Sequence, residues 1–180
     1  MRVLNIHERD LDATPAEVGR LIDSLSSPAD VLWPSRHWPA MRFDRPLQVE
    51  ATGGHGPIRY FVEAYEPGRR VQFHFTGPEG FLGFHAFVVQ EIAPGRTRLR
   101  HVLEMETVGP AVRTWPLVFR WLHDALLEDC LDQAETATGG KPRARHWSPW
   151  VRLLRSVLRA RRRSSRPIGD LAAKGPQTRT

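Results

Sequence analysis

The chain has 180 residues, enough for one domain of ordinary size with its own core plus an extension. Its single cysteine, Cys130, excludes an internal disulfide framework and a cysteine-based metal site, and no stretch reaches the roughly 18 apolar residues of a spanning helix. The formal net charge of +6 averages two unlike parts: residues 1–140 carry 14 basic and 19 acidic residues, net −5, whereas residues 141–180 carry 12 basic and one acidic, net +11.

The basicity therefore belongs to the tail, and the tail is the part expected to meet something anionic. The first residues turn polar after Ile6 and read as a strand, not as a secretory signal, so a cytoplasmic location is expected. Thr14, Pro15 and Glu17 then supply an N-cap, an N1 proline and a first-turn acid. Val18, Leu21, Ile22 and Leu25 recur at helical spacing, so a helix with one buried face should run to about Leu25. Residues 28–46 contain four prolines with Trp33 and Trp38, and regular structure there should be short. These tryptophans, with Arg36 and Arg42, either line an entrance or pin the segment to the core.

Strands are expected over 47–51, 58–66, 70–76, 81–92 and 97–107, separated by Gly53-Gly54, Pro67-Gly68, Gly77-Pro78 and Ala93-Pro94-Gly95. Connections this short imply an antiparallel meander. After Val108-Gly109-Pro110 the apolar period changes from two to about 3.6. Trp115, Phe119, Leu122, Leu126 and Cys130 share one helix face, and Arg120, Asp124, Glu128 and Asp132 share the other, until Gly139-Gly140 stops the helix. Strand, helix, a run of strands and a long helix make an α+β domain with helices on one face of the sheet.

This order, together with Val3 to Leu11 leading into the helix from Thr14, the run Gly53-Gly54-His55-Gly56-Pro57-Ile58-Arg59-Tyr60, the strand Phe73-His74-Phe75-Thr76-Gly77 and the amphipathic helix from Thr114, resembles the SRPBCC superfamily. START lipid-transfer domains, the birch-pollen-allergen group and the polyketide cyclase/dehydrase proteins belong to it. The resemblance covers residues 1 to about 138. It implies a helix-grip fold, in which a curved antiparallel sheet of about six strands wraps the long C-terminal helix around a ligand cavity. It also implies a hydrophobic small molecule, lipid or polyketide-like, as ligand, with cyclisation or dehydration chemistry in a minority of members.

Strand parity points Tyr60, Val62, Val71, Phe73, Phe75, Leu99, Leu103 and Met105 inward and carries His101 with them. The strand from Phe81 is apolar on both parities, which leaves Phe84 and His85 undecided, and His123 falls at the border of the apolar helix face. Tyr60, Val62, Phe73, Phe75, His101, Leu103, Met105, Phe119, Leu122 and Leu126 are thus the candidate ligand-lining residues. Tyr60, His101 and His123 could orient a ligand carbonyl or hydroxyl, or supply a base and a proton donor for an aldol-type cyclisation, although one buried His or Tyr ordinarily serves a structural partner. The expectation leans to a binder over an enzyme. No His-x-x-x-His pair or Cys-His cluster occurs, so no metal or cofactor is expected, and the Gly53–Pro57 run lacks the Lys-Ser/Thr ending of a phosphate loop and is read as a turn.

Residues 1–140 are accordingly taken as a ligand-binding domain and 141–180 as a basic tail, with an amphipathic helix near 148–163 and a disordered end. Trp150, Leu153, Leu154, Val157 and Leu158 fall on one face of that helix, opposite Arg152, Arg155 and Arg159. Trp147, Trp150, Arg152, Arg155 and Arg159 are candidate contacts to an anionic membrane surface, the alternative being packing on protein. An adaptor role through the tail is a third reading of the whole chain. Nucleic acid is the less favoured partner, because a short basic helix without a recognised module is weak evidence.

Overall fold

The computed structural model describes residues 1–164, with side chains as far as Ala160. Seven strands form one antiparallel sheet in the order β1-β7-β6-β5-β4-β3-β2: β1 (Arg2–Leu11), β2 (Arg42–Phe43), β3 (Thr52–His55), β4 (Ile58–Glu66), β5 (Arg70–Gly77), β6 (Phe81–Ala93) and β7 (Arg96–Thr107). From β2 to β7 the chain is a meander, and β1 closes it by pairing with β7, from Arg2 opposite Glu106 to Leu11 opposite Thr97. The helices are α1 (Pro15–Asp23), α2 (Ala111–Thr114), α3 (Arg120–Ala137) and α4 (Pro149–Ser164), with a π-helical turn, Trp115–Phe119, joining α2 to α3. This is the expected α+β helix-grip arrangement of a sheet around a long helix. None of the described helices is long and apolar enough to cross a membrane.

Helix α1 starts as its sequence dictates. The Glu17 amide donates to Thr14 Oγ1 at 3.3 Å and the Thr14 amide to a Glu17 carboxylate oxygen at 2.8 Å, a reciprocal cap. Its C-terminal Asp23 accepts from the Tyr65 hydroxyl and the Gly68 amide, each at 2.9 Å, which ties the helix to the β4–β5 turn. Its apolar face is formed by Val18, Leu21 and Ile22, all buried.

Three local readings change. The predicted strand over 47–51 is a turn, with Glu50 at φ 66°, and the strand falls on Thr52–His55 instead. The glycines taken as a turn lie inside β3 because neighbouring backbone comes too close for a side chain. A Cβ on Gly53 would lie 1.9 Å from the Arg42 carbonyl oxygen, and one on Gly54 2.0 Å from that of Ile58. The long helix is interrupted by the π turn, which contains Pro116, a residue with no amide hydrogen to give to an α-helical ladder. The segment between α1 and β2 is pinned down: Trp33 Nε1 donates to the Pro39 carbonyl at 2.9 Å and Trp38 Nε1 to Asp129 at 2.6 Å, with both rings buried.

The chain divides into two compact units, one from Met1 to His146 and a second beginning at Trp147. Residues 141–146 go with the first, where the Arg145 guanidinium bonds to Glu128. In the second, α4 is capped by Ser148, whose Oγ accepts from the Val151 amide at 3.2 Å, and the Arg155 guanidinium lies 3.5 Å above the Trp147 ring. The arginine run 161–163 and Arg166 lie outside the residues whose side chains are described.

Candidate functional site

The inner surface of the sheet carries Tyr60 and Val62 on β4, Phe73 and Phe75 on β5, His85 and Phe87 on β6, and Leu99, His101, Leu103 and Met105 on β7, all buried. β6 is thereby decided: His85 points in and Phe84 does not. Phe75, Phe81, Leu103 and Met105 form one apolar cluster with Ala111 and Trp115, against which Phe119 packs. Leu122, Leu126 and Cys130 of α3 are buried as well. The predicted lining residues are thus buried, or, for Phe119, packed against that cluster.

Imidazoles run through this apolar interior. The His55 ring lies 4.7 Å from Trp33, and its Nδ1 is 3.1 Å from the Tyr60 hydroxyl. The Tyr60 ring meets the His85 ring edge-on at 4.9 Å, and His85 Nδ1 is 3.2 Å from His101 Nε2. The His101 ring is 5.2 Å from that of His123, which in turn is 5.9 Å from that of His7. Tyr60, His101 and His123 are therefore brought into one row. His55, His85 and His7 complete it.

Burial acts on these groups in one direction. It holds His55 down to about 3 and, with the charge of neighbouring histidines, holds His85 and His101 well below the usual imidazole range. His123 is lowered for the same reason, against an opposing pull from Asp124. The phenol of Tyr60 is pushed well above its ordinary value by burial. All these rings are neutral at pH 7.

Neutrality fixes the hydrogen-bond arithmetic of the His85–His101 pair. A neutral imidazole has one N–H and one lone pair, so one ring donates to the other across the 3.2 Å contact. The remaining nitrogens, His85 Nε2 and His101 Nδ1, are buried and have no partner, and neither has either nitrogen of His123. Whichever ring donates, the pair presents one free N–H and one free lone pair. Most buried polar atoms in folded proteins are satisfied, so such a group marks a place for a water, an ion or a ligand.

At the β1–α3 seam the chemistry reverses. Asn5, His7 and Arg9 point inward from β1, while the apolar Leu4 and Ile6 are exposed. They meet the acidic row of α3. Asn5 Nδ2 donates to Asp124 Oδ1 at 2.9 Å, and His7 lies 3.1 Å from Asp124 and 2.9 Å from Glu128. Arg9 pairs with Glu128, Asp132 and Glu135. Burial alone would lower His7, but hydrogen bonds to Asp124 and Glu128 and their charges raise it to about 9, and the same contacts hold both carboxylates low. The helix face that alternation assigned to the polar side is this seam. Neither β1 parity nor the role of His7 is visible in the sequence without its partner, more than a hundred residues away.

The membrane-contact candidates lie in the second unit. Trp150, Leu153, Val157 and Leu158 of α4 are 43%, 53%, 45% and 36% exposed, an apolar row at helical spacing, while Arg152 and Arg159 are exposed and Arg155 stacks on Trp147.

No family model and no curated protein matches this chain. Solved structures do. A START superfamily protein from Mycobacterium smegmatis is 12% identical, covers 76% of this chain and 97% of its own, and superposes with a TM-score of 0.55. CalU16 from Micromonospora echinospora is 16% identical over 88% of this chain and 92% of its own, at a TM-score of 0.54. Norcoclaurine synthase from Thalictrum, solved as a point mutant with a transition-state analogue, is 10% identical over 74% and 94%, at 0.57. At these identities the likeness is one of fold alone.

Proposed function

We propose that this protein, a helix-grip domain like those solved structures, binds a hydrophobic small molecule in its interior, between the inner sheet face and α3, and reads one polar group of it with the His85–His101 pair. The fold supports the first half, since neighbours of this architecture include START and plant-synthase proteins. The observation that carries the second is the pair itself, which offers one N–H and one lone pair among Phe73, Phe75, Leu103 and Met105. A ligand hydroxyl, or a carbonyl with an adjacent hydroxyl, satisfies both; a plain alkane satisfies neither.

Native mass spectrometry of the purified full-length protein, with organic extraction, tests this reading. A co-purifying apolar mass with at least one oxygen function is the expected result. A clean apo mass that also takes up no fatty acid, sterol or aromatic ketone from a panel overturns it.

The enzymatic reading has one observation in its favour. If the lone-pair end of the pair takes a proton from the ligand while one crosses the 3.2 Å His85–His101 contact and the N–H end gives its own to the ligand, both rings stay neutral and the free N–H and free lone pair exchange places, which is what a base on one atom and an acid on another require in a cyclisation or dehydration. Tyr60→Phe and His101→Ala leave ligand affinity within roughly tenfold if these groups only orient, and abolish turnover if they catalyse. The exposed apolar row of α4 supports peripheral contact with an anionic membrane, with Arg152 and Arg159 toward the headgroups.

A further inference from the structure

We propose that His7, His123 and Asp124 form a binding site for a late first-row divalent cation of the zinc type, clasping β1 to α3. Their ligand atoms all lie within 4.8 Å of one another. His7 Nε2 is 3.1 Å from Asp124 Oδ1, and His123 Nδ1 is 3.7 Å from the same oxygen. Zinc bonds of about 2.0–2.1 Å at tetrahedral angles separate neighbouring donors by about 3.3 Å, so the two measured edges straddle the required one. The donors come from opposite walls of the seam. An ion there would crosslink the first strand to the last helix of the domain.

Three further features belong to a metal site more than to an ordinary ion pair. His123 has two buried ring nitrogens without a hydrogen-bond partner, next to a carboxylate. An imidazole left so is costly, and coordination of Nδ1 would satisfy one of the two nitrogens. The outer support is already in place: His7 Nδ1 is 2.9 Å from Glu128 Oε1, so a metal on Nε2 would complete a carboxylate–histidine–metal arrangement, and Asn5 Nδ2 orients the Asp124 carboxylate at 2.9 Å. The cluster also reaches the surface: the side chains of His7 and Asp124 are 13% and 32% exposed, while both His123 nitrogens are buried.

Two imidazoles and one carboxylate favour zinc, cobalt(II) or nickel(II) over calcium or magnesium, which prefer all-oxygen shells. In the metal-free state His7 bridges Asp124 and Glu128, and an ion on Nε2 would take over the Asp124 end of that bridge. The site lies at the seam and does not depend on the interior ligand proposed above.

The test uses the full-length protein stripped with chelator and titrated with cobalt(II) as the probe. Expected are one equivalent bound, a visible absorption typical of four- or five-coordinate cobalt, and displacement by zinc. In amide NMR spectra, cobalt should broaden β1 residues around His7 and α3 residues around Asp124 first. His123→Ala should abolish the absorption while circular dichroism stays native, and Glu128→Gln should weaken binding roughly 10- to 100-fold. Absence of binding up to millimolar cobalt, or broadening centred away from β1 and α3, overturns the proposal. Because the NMR readout needs no substitution, it decides the matter even if His123→Ala does not fold.

Discussion

The domain has two polar regions, the β1–α3 seam and the inner sheet face, and they are built on opposite rules. At the β1–α3 seam every charge has a counter-charge: Arg9 has three carboxylates, and His7 has two. Along the inner sheet face the polar groups are neutral and partly unpaired, with free nitrogens on His85 and His101 among aromatic rings. A paired group is spent on holding structure together. An unpaired buried group keeps its hydrogen-bonding capacity for something else, which sets the Arg9 network apart from the His85–His101 pair.

The sharpest way to break the contrast is at Arg9. Arg9→Ala leaves Glu128, Asp132 and Glu135 facing one another in a partly buried seam, and should cost about 2–3 kcal/mol in urea denaturation. Tyr60→Phe should cost less, about 1–2 kcal/mol, by leaving His55 Nδ1 buried without its hydroxyl partner. A loss from Tyr60→Phe as large as that from Arg9→Ala would mean that the interior is also a stability element.

Acidity separates the regions by sign. His7 is raised from 6.5 to about 9, so its contribution is fully present below pH 6.5 and is lost as pH climbs through about 9, a loss of about 1 kcal/mol once solvent screening is allowed for. His55, His85, His101 and His123 are lowered, so the folded state resists protonating them, and their effect is a loss of stability as pH falls below 6.5. Melting temperature against pH should peak near 6.5, and His7→Gln should flatten mainly the alkaline limb, with a smaller relief of the acid limb because the His7 charge helps hold His101 and His123 low. An unchanged alkaline limb in that variant would contradict the assignment. The smallest effect on stability is expected from Leu153→Glu, on the exposed face of α4: within about 0.5 kcal/mol, yet with loss of sedimentation on phosphatidylglycerol vesicles.

What was legible in the sequence was whatever depends on neighbours in the chain. The Thr14–Glu17 cap, the buried face of α1, the Trp115–Cys130 stripe and the inward parity of Tyr60 and His101 all follow from spacing alone. What was illegible depends on partners far along it. Alternation on β1 leaves either parity open, with Leu4 and Ile6 on one and Val3 and Leu11 on the other, and the acidic row of α3 is what meets Asn5, His7 and Arg9 on the inward one. A search for His-x-x-x-His spacing could not find His7 beside His123, because a strand and a helix bring them together. Gly53 and Gly54 read as a turn until the Arg42 and Ile58 backbones crowd them from either side. β6 is apolar on both faces, and only pairing with β5 and β7 selects His85 over Phe84.

The pairing of β1 with β7 and α3 also sets an order of events in time. The seam contacts span 117 to 126 residues of sequence, from His7–Asp124 to Arg9–Glu135, so they close almost the whole length of the domain. During synthesis the first strand leaves the ribosome with its charged inner row and its exposed Leu4 and Ile6, and its only partners are among the last parts of the domain to be made. The meander from β2 to β7 can assemble by neighbour-to-neighbour pairing while β1 waits. The domain therefore locks last at the strand it made first, and damage to the seam should show itself as a slow or failed final step in refolding.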